Sequence, residues 1–488
     1  MSDMESSKVV TRFAPSPTGF MHIGSIRTAL FAYLWARKNG GTFILRIEDT
    51  DKEREVEGSI AHIQESLRWL GIDWDYGPDK TAPFGSCIQS ERLDTYRAAA
   101  RELLAKGFAY PDPYTHEEIE AFKREAEAQK RPFLIREHRP ETFTQWDGRS
   151  PLRFKVPEIK RWKWHDEVRG DLEAGEEAVD DFILMKGDGY PTYNFAHIID
   201  DHLMDVNYIV RGDEFISSTP RFLSLYDALG ITPPRFVTLP PILRADKTKK
   251  LGKRDGAKDI LEYRTEGYLP DAMINFLALI GWNPGTEQEI FDRRGLVAAF
   301  ELSRIQTHGA LFNEEKLQWL NREYVLKMSD TEFIGYISAP LKDALASRGI
   351  TVVENAIAKL VPVIRERITV SADVTEMAAD GEFDYYFKDP SIDAARLPAK
   401  NESSDDVRRH LSHVREQFEG IDEAVAGNPE LIKAALWDYA TEQGRGNVLW
   451  PLRYALTGRD KSPDPFVVAS ILGREAVMRR IDAVLQSL

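Results

Sequence analysis

Two stretches of this chain carry the residue types that hold phosphate. The first, Pro15-Ser16-Pro17-Thr18-Gly19-Phe20-Met21-His22-Ile23-Gly24-Ser25, lies near the N-terminus. The second, Lys249-Lys250-Leu251-Gly252-Lys253-Arg254-Asp255, lies past mid-chain. The first suits a turn from strand to helix. Val9 to Ala14 reads as a buried strand, and Ile26, Leu30, Tyr33 and Leu34 recur at helical spacing. Such a turn gathers backbone N–H groups and a helix N-terminus at one point, where an anion is favoured, and His22 stands there as a donor. The second stretch is a lysine-rich loop suited to the same ligand.

These stretches need a frame that brings them together, and the first third of the chain has the pattern for one. Strand signals at 9–14 and 42–48 alternate with helix signals at 24–38, 56–70 and Gln89 to Lys106, the pattern of an open parallel α/β sheet. The pattern breaks at Pro111-Asp112-Pro113. A charged helix (Glu117 to Gln129) and short strands around Leu152 to Val156 and Phe182 to Lys186 follow, as in an inserted α+β module. Strand signals at Ile198-Ile199 and Tyr208 to Val210, with a helix from Pro220 to Leu229, restore the first pattern, so the insertion splits the sheet. From about residue 245 the chain is almost wholly helical, and Lys400 to Asp406 is the best linker candidate.

Open α/β sheets bind ligands at the carboxyl ends of their strands. Arg12 to Ser16 end the first strand and Glu48 ends the second, so they can surround one small zwitterion. Glu48 suits an ammonium group. Arg12 and Arg211 suit carboxylates, which guanidinium grips with two parallel hydrogen bonds.

Composition narrows the class. At 488 residues the chain exceeds what one core supports. No apolar run is long enough to span a bilayer, and the first residues lack the character of a signal or transit peptide, so a cytoplasmic protein is expected. A single cysteine, Cys87, excludes a disulfide framework and any multi-cysteine zinc site and is expected to be a buried, inert thiol. The net charge of −15 argues against nucleic acid as partner unless basic strips offset it. Clusters exist at Lys130 to Pro132, Arg136 to Arg139, Arg153 to Lys163 and Lys247 to Lys258, although most such clusters are solvated faces.

The two phosphate-type stretches resemble the His-Ile-Gly-His and Lys-Met-Ser-Lys-Ser signatures of class I aminoacyl-tRNA synthetases. Their surroundings resemble glutamyl-tRNA synthetases of the bacterial and organellar type: Arg12 to Gly24, Gly41 to Asp51, Pro191 to Ala196, Asp200 to Met204 and Gly281 to Gly285. The resemblance is strong over residues 8 to about 325. It implies a Rossmann-type parallel sheet (1–110 and 191–244) split by an acceptor-end-binding α+β module (111–190). A helical stem-contact region (245–325) and an all-α anticodon-binding domain (326–488) would follow. It implies ATP-dependent ligation of L-glutamate to tRNA(Glu) through a glutamyl-adenylate, with ATP as substrate, Mg²⁺ from ATP chemistry, and activation that needs bound tRNA. A monomer is the plain expectation.

Carried over residue by residue, the resemblance places Arg12, Ala14, Ser16, Glu48, Tyr193 and Arg211 on glutamate, with Glu48 on the α-amine. His22, Gly24, Glu214, Lys250, Leu251, Gly252, Lys253 and Arg254 fall to ATP, with His22, Lys250 and Lys253 catalytic. Arg367, within Val363 to Ile368, is a candidate anticodon reader, and a solvated helix face explains it equally well.

The chain departs from the family in three places. Gly252 stands where a serine is usual, and Asp255 where many members carry a basic or imidazole side chain. The module holds Tyr110, Tyr114, His116 and His138 but no cysteines, which argues against a structural zinc and for surface histidines. Gly252 and Asp255 keep open a catalytically silent tRNA-binding paralogue, and the sequence does not decide whether tRNA(Gln) is also charged. A relative that glutamylates a modified base, or a glutaminyl enzyme, is disfavoured by the long helical C-terminus.

Overall fold

In a computed structural model that describes residues 8–244, 251, 258–352, 354–400 and 402–488, the two N-terminal apolar runs become β1 (Val10–Phe13) and β2 (Thr42–Leu45). The last three residues of each are buried, as strands covered on both faces require. They lie in parallel register, Arg12 beside Ile44. Joining them is α1 (Ile23–Lys38), whose Ile26, Leu30, Phe31 and Leu34 are buried. After β2 come α2 (Ser59–Trp69) and α3 (Leu93–Ala105), the latter entered through a 3₁₀ turn, Gln89–Arg92.

Between α3 and the return to the sheet lie β3 (Ala109–Pro111), α4 (His116–Ala128), β4 (Leu152–Phe154), β5 (Trp162–Asp166), β6 (Gly170–Ala174) and β7 (Ile183–Met185). β3, β4 and β7 form their own antiparallel sheet. The β5–β6 hairpin does not join it. It pairs with β9 (Arg235–Leu239), giving a main sheet ordered β2-β1-β8-β9-β5-β6, with β8 at Tyr208–Gly212. All neighbours run parallel except β5 and β6. An unpaired β9 would leave open N–H and C=O groups at a sheet edge, and the hairpin covers them. Buried Asp166 makes the join: it accepts from Thr238 Oγ1 at 2.5 Å and Thr238 N–H at 3.2 Å. Thr238 is the register partner of Arg211.

Two sequence expectations give way here. Ile198-Ile199 is not a strand but part of α5 (Tyr193–Leu203), in which residues 195–201 are all buried. The β-branched pair has strand propensity, but a helix enclosed on all sides has no polar face to reveal its period. Likewise the linker expected at Lys400 to Asp406 gives way from Ser403 on, where Ser403 caps the helix Ser404–Gly420 with Asp406 in a reciprocal capping box.

After α6 (Thr219–Leu229) and β9, a two-stranded parallel pair forms from β10 (Ile242–Leu243) and β11 (Ala310–Leu311). Helices α7 (Ile260–Glu266) and α8 (Pro270–Leu279) lie between them in the chain. The chain divides into two compact units, residues 1–265 with 269–320, and 266–268 with 321–488. The second is helical, with a core of Leu411, Val414, Leu436, Leu452, Leu456 and Ile481. Among the described residues no helix is long and apolar enough to cross a membrane.

Candidate functional site

The carboxyl ends of β1, β2 and β8, with the last turn of α5, collect one buried group of ionised side chains. Arg12, near the end of β1, is 4% exposed. Its Nε donates to Asp201 Oδ1 at 3.0 Å. Arg46, just past β2, is fully buried; it reaches Glu48 Oε1 at 2.9 Å through Nη2 and Asp201 Oδ1 at 2.7 Å through Nη1. Asp201 comes from α5. Burial alone would raise its carboxyl, but Arg12 and Arg46 draw it down to about 2. Burial raises the Glu48 carboxyl above its ordinary value against the opposing pull of Arg46 and Arg12.

Arg211 differs from the other two arginines. It is 5% exposed, and one nitrogen, Nη2, donates to Thr219 Oγ1 at 2.7 Å. Its Nε and Nη1 are buried and have no hydrogen-bond partner among the described residues. Its guanidinium lies over the rings of Phe236, Phe222 and Phe215 at 4.7, 5.3 and 5.6 Å, and burial lowers its pKa. A buried cation left this way is costly, and an incoming carboxylate relieves the cost. Tyr193, at the first turn of α5, stacks on His197 (4.6 Å, 13°). Its phenol is raised by burial first, and it feels Glu48, Arg12 and Arg211 together, so the four side chains converge. Ala14 is half-buried and Ser16 exposed in the turn after β1. That turn is fastened by Glu48 N–H to Pro15 O (3.0 Å) and Ser59 Oγ to Pro17 O (2.9 Å).

The same turn delivers His22. It is the N-cap of α1, and its Nδ1 accepts from Gly24 N–H at 3.1 Å while Nε2 lies 3.3 Å from Ser25 Oγ. Gly24 leaves room for this contact. A Cβ there would stand 3.0 Å from the His22 ring. Next to it, the backbone of Asp259 bridges to His22, and Ile260 N–H donates to Met21 O at 3.0 Å. Leu251 N–H donates to Ile242 O at 2.7 Å, extending the edge of β10. Glu214 lies in the 3₁₀ segment that follows β8. Lys250, Gly252, Lys253, Arg254 and Asp255 lie outside the described residues.

In the inserted module His116 is exposed at the start of α4, as expected of a surface histidine. His138 is half-buried: its ring stacks on Phe122 (4.0 Å, 15°) and its carbonyl accepts from the Tyr114 hydroxyl. Tyr110 donates to Asp181, which also pairs with Arg139 at 2.6 Å, and Arg153 pairs with Asp112. These two arginines, read as part of solvated clusters, are structural. Among the described residues no group of three or more His, Cys, Asp or Glu side chains could hold a metal. Cys87 is buried, and burial pushes its thiol up to about 11, as an inert thiol should be. In the helical unit Arg367, just past the helix Glu354–Arg365, pairs with Glu382.

Sequence reasoning passed over Arg46, Asp200 and Asp201 as site residues. Asp200 is fully buried and accepts from Arg92 Nε (2.8 Å), Gln89 (2.8 Å) and Tyr96 (2.7 Å). The available signal was charge inside apolar runs, Leu45-Arg46-Ile47 and Ile198-Ile199-Asp200-Asp201, since such charges persist in a core only when paired. His62 and Asp259, paired at 2.7 Å, gave no such signal.

Comparison with known proteins bears on this arrangement. The family model described as "tRNA synthetases class I (E and Q), catalytic domain" matches residues 8–319, and one described as "Anticodon binding domain" matches 335–485. Among curated relatives, the glutamate–tRNA ligase of Anaeromyxobacter sp. is 38% identical over 483 residues, covering 97% of this chain and 98% of the relative. That of Moorella thermoacetica is 38% identical over 494 residues, covering 98% of each. A glutamate tRNA ligase from Elizabethkingia meningosepticum, solved in complex with its amino acid, superposes with a TM-score of 0.85 at 33% identity, covering 99% of this chain and 100% of that one. With a split parallel sheet, paired arginines at its strand ends and relatives matched along their whole length, this chain belongs to the class I tRNA synthetases of the E and Q group.

Proposed function

We propose that the protein ligates L-glutamate to tRNA(Glu) at the expense of ATP, in two steps at the strand ends of its sheet. The observation that carries the choice of amino acid is Arg211, a buried cation with two N–H donors lacking a partner among the described residues, beside Glu48 and Arg12 in the field of one tyrosine. Glu48 receives the α-ammonium, Arg211 receives the side-chain carboxylate with Tyr193, and Arg12, Ala14 and Ser16 border the rest of the substrate. Glutamine would leave the Arg211 cation without its counter-charge. Breaking a buried pair costs about 3–5 kcal/mol, or roughly two to four decades.

In the first step the α-carboxylate of glutamate attacks the α-phosphorus of ATP. A P–O bond forms, and the bond to diphosphate breaks. Catalysis of such a step rests on positioning and on charge stabilisation. His22, held at the N-terminus of α1 by Gly24 and Ser25, is assigned to the phosphate, with Gly24, Glu214 and Leu251 around the nucleotide. Lys250 and Lys253, with Gly252 and Arg254, are assigned to the leaving diphosphate from sequence. In the second step the terminal ribose 2′-hydroxyl attacks the carbonyl carbon of glutamyl-adenylate, the ester forms and AMP leaves.

Mg²⁺ is assigned to the ATP complex, because this ion is usually held by one or two carboxylates together with substrate phosphates. Among the described residues none form a dedicated cage, and no step is assigned to a protein-bound ion. The remaining segments divide the tRNA: 111–190 the acceptor end, 245–325 the inner stem, and 326–488 the anticodon, with Arg367 its candidate reader. A monomer working in the cytoplasm fits this reading. The test is glutamate-dependent exchange of diphosphate into ATP with and without tRNA, followed by charging of tRNA(Glu). Exchange that appears only with tRNA is the expected result. Silence in both conditions refutes catalysis and favours a tRNA-binding paralogue.

A further inference from the structure

Arg46 touches both sides of the amino-acid pocket without being one of the groups assigned to the substrate. Its side chain is fully buried. Nη2 and Nε share Glu48 Oε1 at 2.9 and 3.3 Å, and Nη1 donates to Asp201 Oδ1 at 2.7 Å. That same Asp201 oxygen accepts Arg12 Nε at 3.0 Å. A single guanidinium therefore bridges Glu48 on one strand end to Arg12 on the neighbouring strand, through an acid supplied by α5. Asp200, the next residue of α5, lies 3.9 Å from Arg46 Nε and is itself held by Arg92, Gln89 and Tyr96. The bridge thus has a fixed base.

We infer that Arg46 is a positioning residue for amino-acid recognition, a clamp that sets Glu48 and Arg12 at the spacing of the α-ammonium and α-carboxylate of one amino acid. The inference rests on the reading that Glu48 and Arg12 bind glutamate. Its physical basis is the fork of the guanidinium, which satisfies two carboxylates through different nitrogens in one plane. Lysine keeps the charge but loses the fork. Arg46 also has an electrostatic effect on Glu48, which must stay ionised to hold an ammonium. Burial raises this carboxyl first and foremost, and Arg46 heads the charges that oppose the rise. The other groups that face the cluster are Arg12 from β1, Asp200, Asp201 and Tyr193 from α5, Arg211 from β8 and Arg92 from the 3₁₀ turn. His197 is kept neutral there by burial.

The experiment is steady-state aminoacylation by the full-length protein as a function of pH, for wild type, Arg46→Lys, Arg46→Met and Glu48→Gln. Arg46→Lys should raise the KM for glutamate by up to about 10²-fold, the effect of a small misplacement of binding groups, and leave the KM for ATP unchanged. Arg46→Met should move the acid limb of kcat/KM for glutamate upward by about one pH unit or more, since a close opposite charge is worth that much to a carboxylate. A purely structural role would lower thermal stability and move neither readout. Arg46→Lys with wild-type glutamate KM overturns the inference, as does a folded Arg46→Met with an unmoved limb. Should Arg46→Met fail to fold, Arg46→Lys alone decides. Glu48→Gln separates the two levels. Impaired glutamate binding in that variant beside a normal Arg46→Lys removes only the clamp, whereas a normal glutamate KM in Glu48→Gln removes the site assignment and the clamp with it.

Discussion

His62 Nε2 lies 2.7 Å from Asp259 Oδ2, while its Nδ1 accepts from Met21 N–H at 3.4 Å. With Nδ1 accepting from Met21, Nε2 is the donor toward Asp259, and the ring is satisfied on both edges. It fastens the residue before His22 to a residue six positions after Lys253 in the chain. His62 thus ties the first phosphate-type stretch to Asp259, which follows the second stretch in the chain. His62→Ala and Asp259→Asn should each weaken diphosphate exchange by about tenfold or more, the value of one hydrogen bond to a charged group at about 1.5–3 kcal/mol. The loss should sit in the ATP parameters and spare the glutamate KM. In a double mutant the two losses should not add, which steady-state kinetics of the three variants would show.

Gly24 gives a sharper test of His22. A methyl group there meets the ring at 3.0 Å and the Nδ1 acceptor at 3.1 Å. Gly24→Ala should therefore push the imidazole a few tenths of an ångström from its place and weaken the cap of α1. The stability cost is at most about 1 kcal/mol, the value of a lost N-cap. Exchange should fall further than that, toward the roughly 10²–10³ lost when one preorganised donor is removed. Wild-type exchange in a folded Gly24→Ala protein would exclude His22 from the chemistry.

Arg211 should separate stability from activity. Its burial without a carboxylate partner among the described residues carries a desolvation cost that a bound carboxylate would relieve. Arg211→Met keeps contact with Phe215, Phe222 and Phe236 and removes the charge. Its unfolding free energy should be unchanged or higher, by up to about 1–4 kcal/mol, while glutamate activation and the discrimination against glutamine are lost together. A variant with normal glutamate kinetics would take Arg211 out of the site.

His197 sets a pH dependence with a definite sign. Burial lowers its pKa to about 3, and Nδ1 lies 2.7 Å from Tyr193 O, so the folded protein holds it neutral. The unfolded chain takes up a proton near pH 6.5. Between about 6.5 and 3 the unfolded state binds more protons, so the stability present above the unfolded value is lost as pH falls, by about 1.4 kcal/mol per unit at most. Urea unfolding at pH 6.5 and pH 5 should show a wild-type loss exceeding that of His197→Gln by about 2 kcal/mol. Equal losses would place the pH sensitivity elsewhere.

Local pattern carried much of this protein. The alternation of strand and helix, the turn ending at His22, and the types of Arg12, Glu48 and Arg211 were legible because each depends on neighbours within a few positions. The resemblance to a synthetase family rested on the same short words. Tertiary structure alone decided the rest, because it turns on distant pairs. Ile198-Ile199 entered a helix whose residues 195–201 are all buried, so no polar face marked its period. The β5–β6 hairpin left its module to cover the edge of β9. Arg12 is tied to Asp201 across 189 positions and Arg46 to the same oxygen across 155, while Arg211 has no acid among the described residues. Residue type told which side chains could carry charge; only the fold, by burying them and choosing their partners, decided which cation was left without an acid among the described residues.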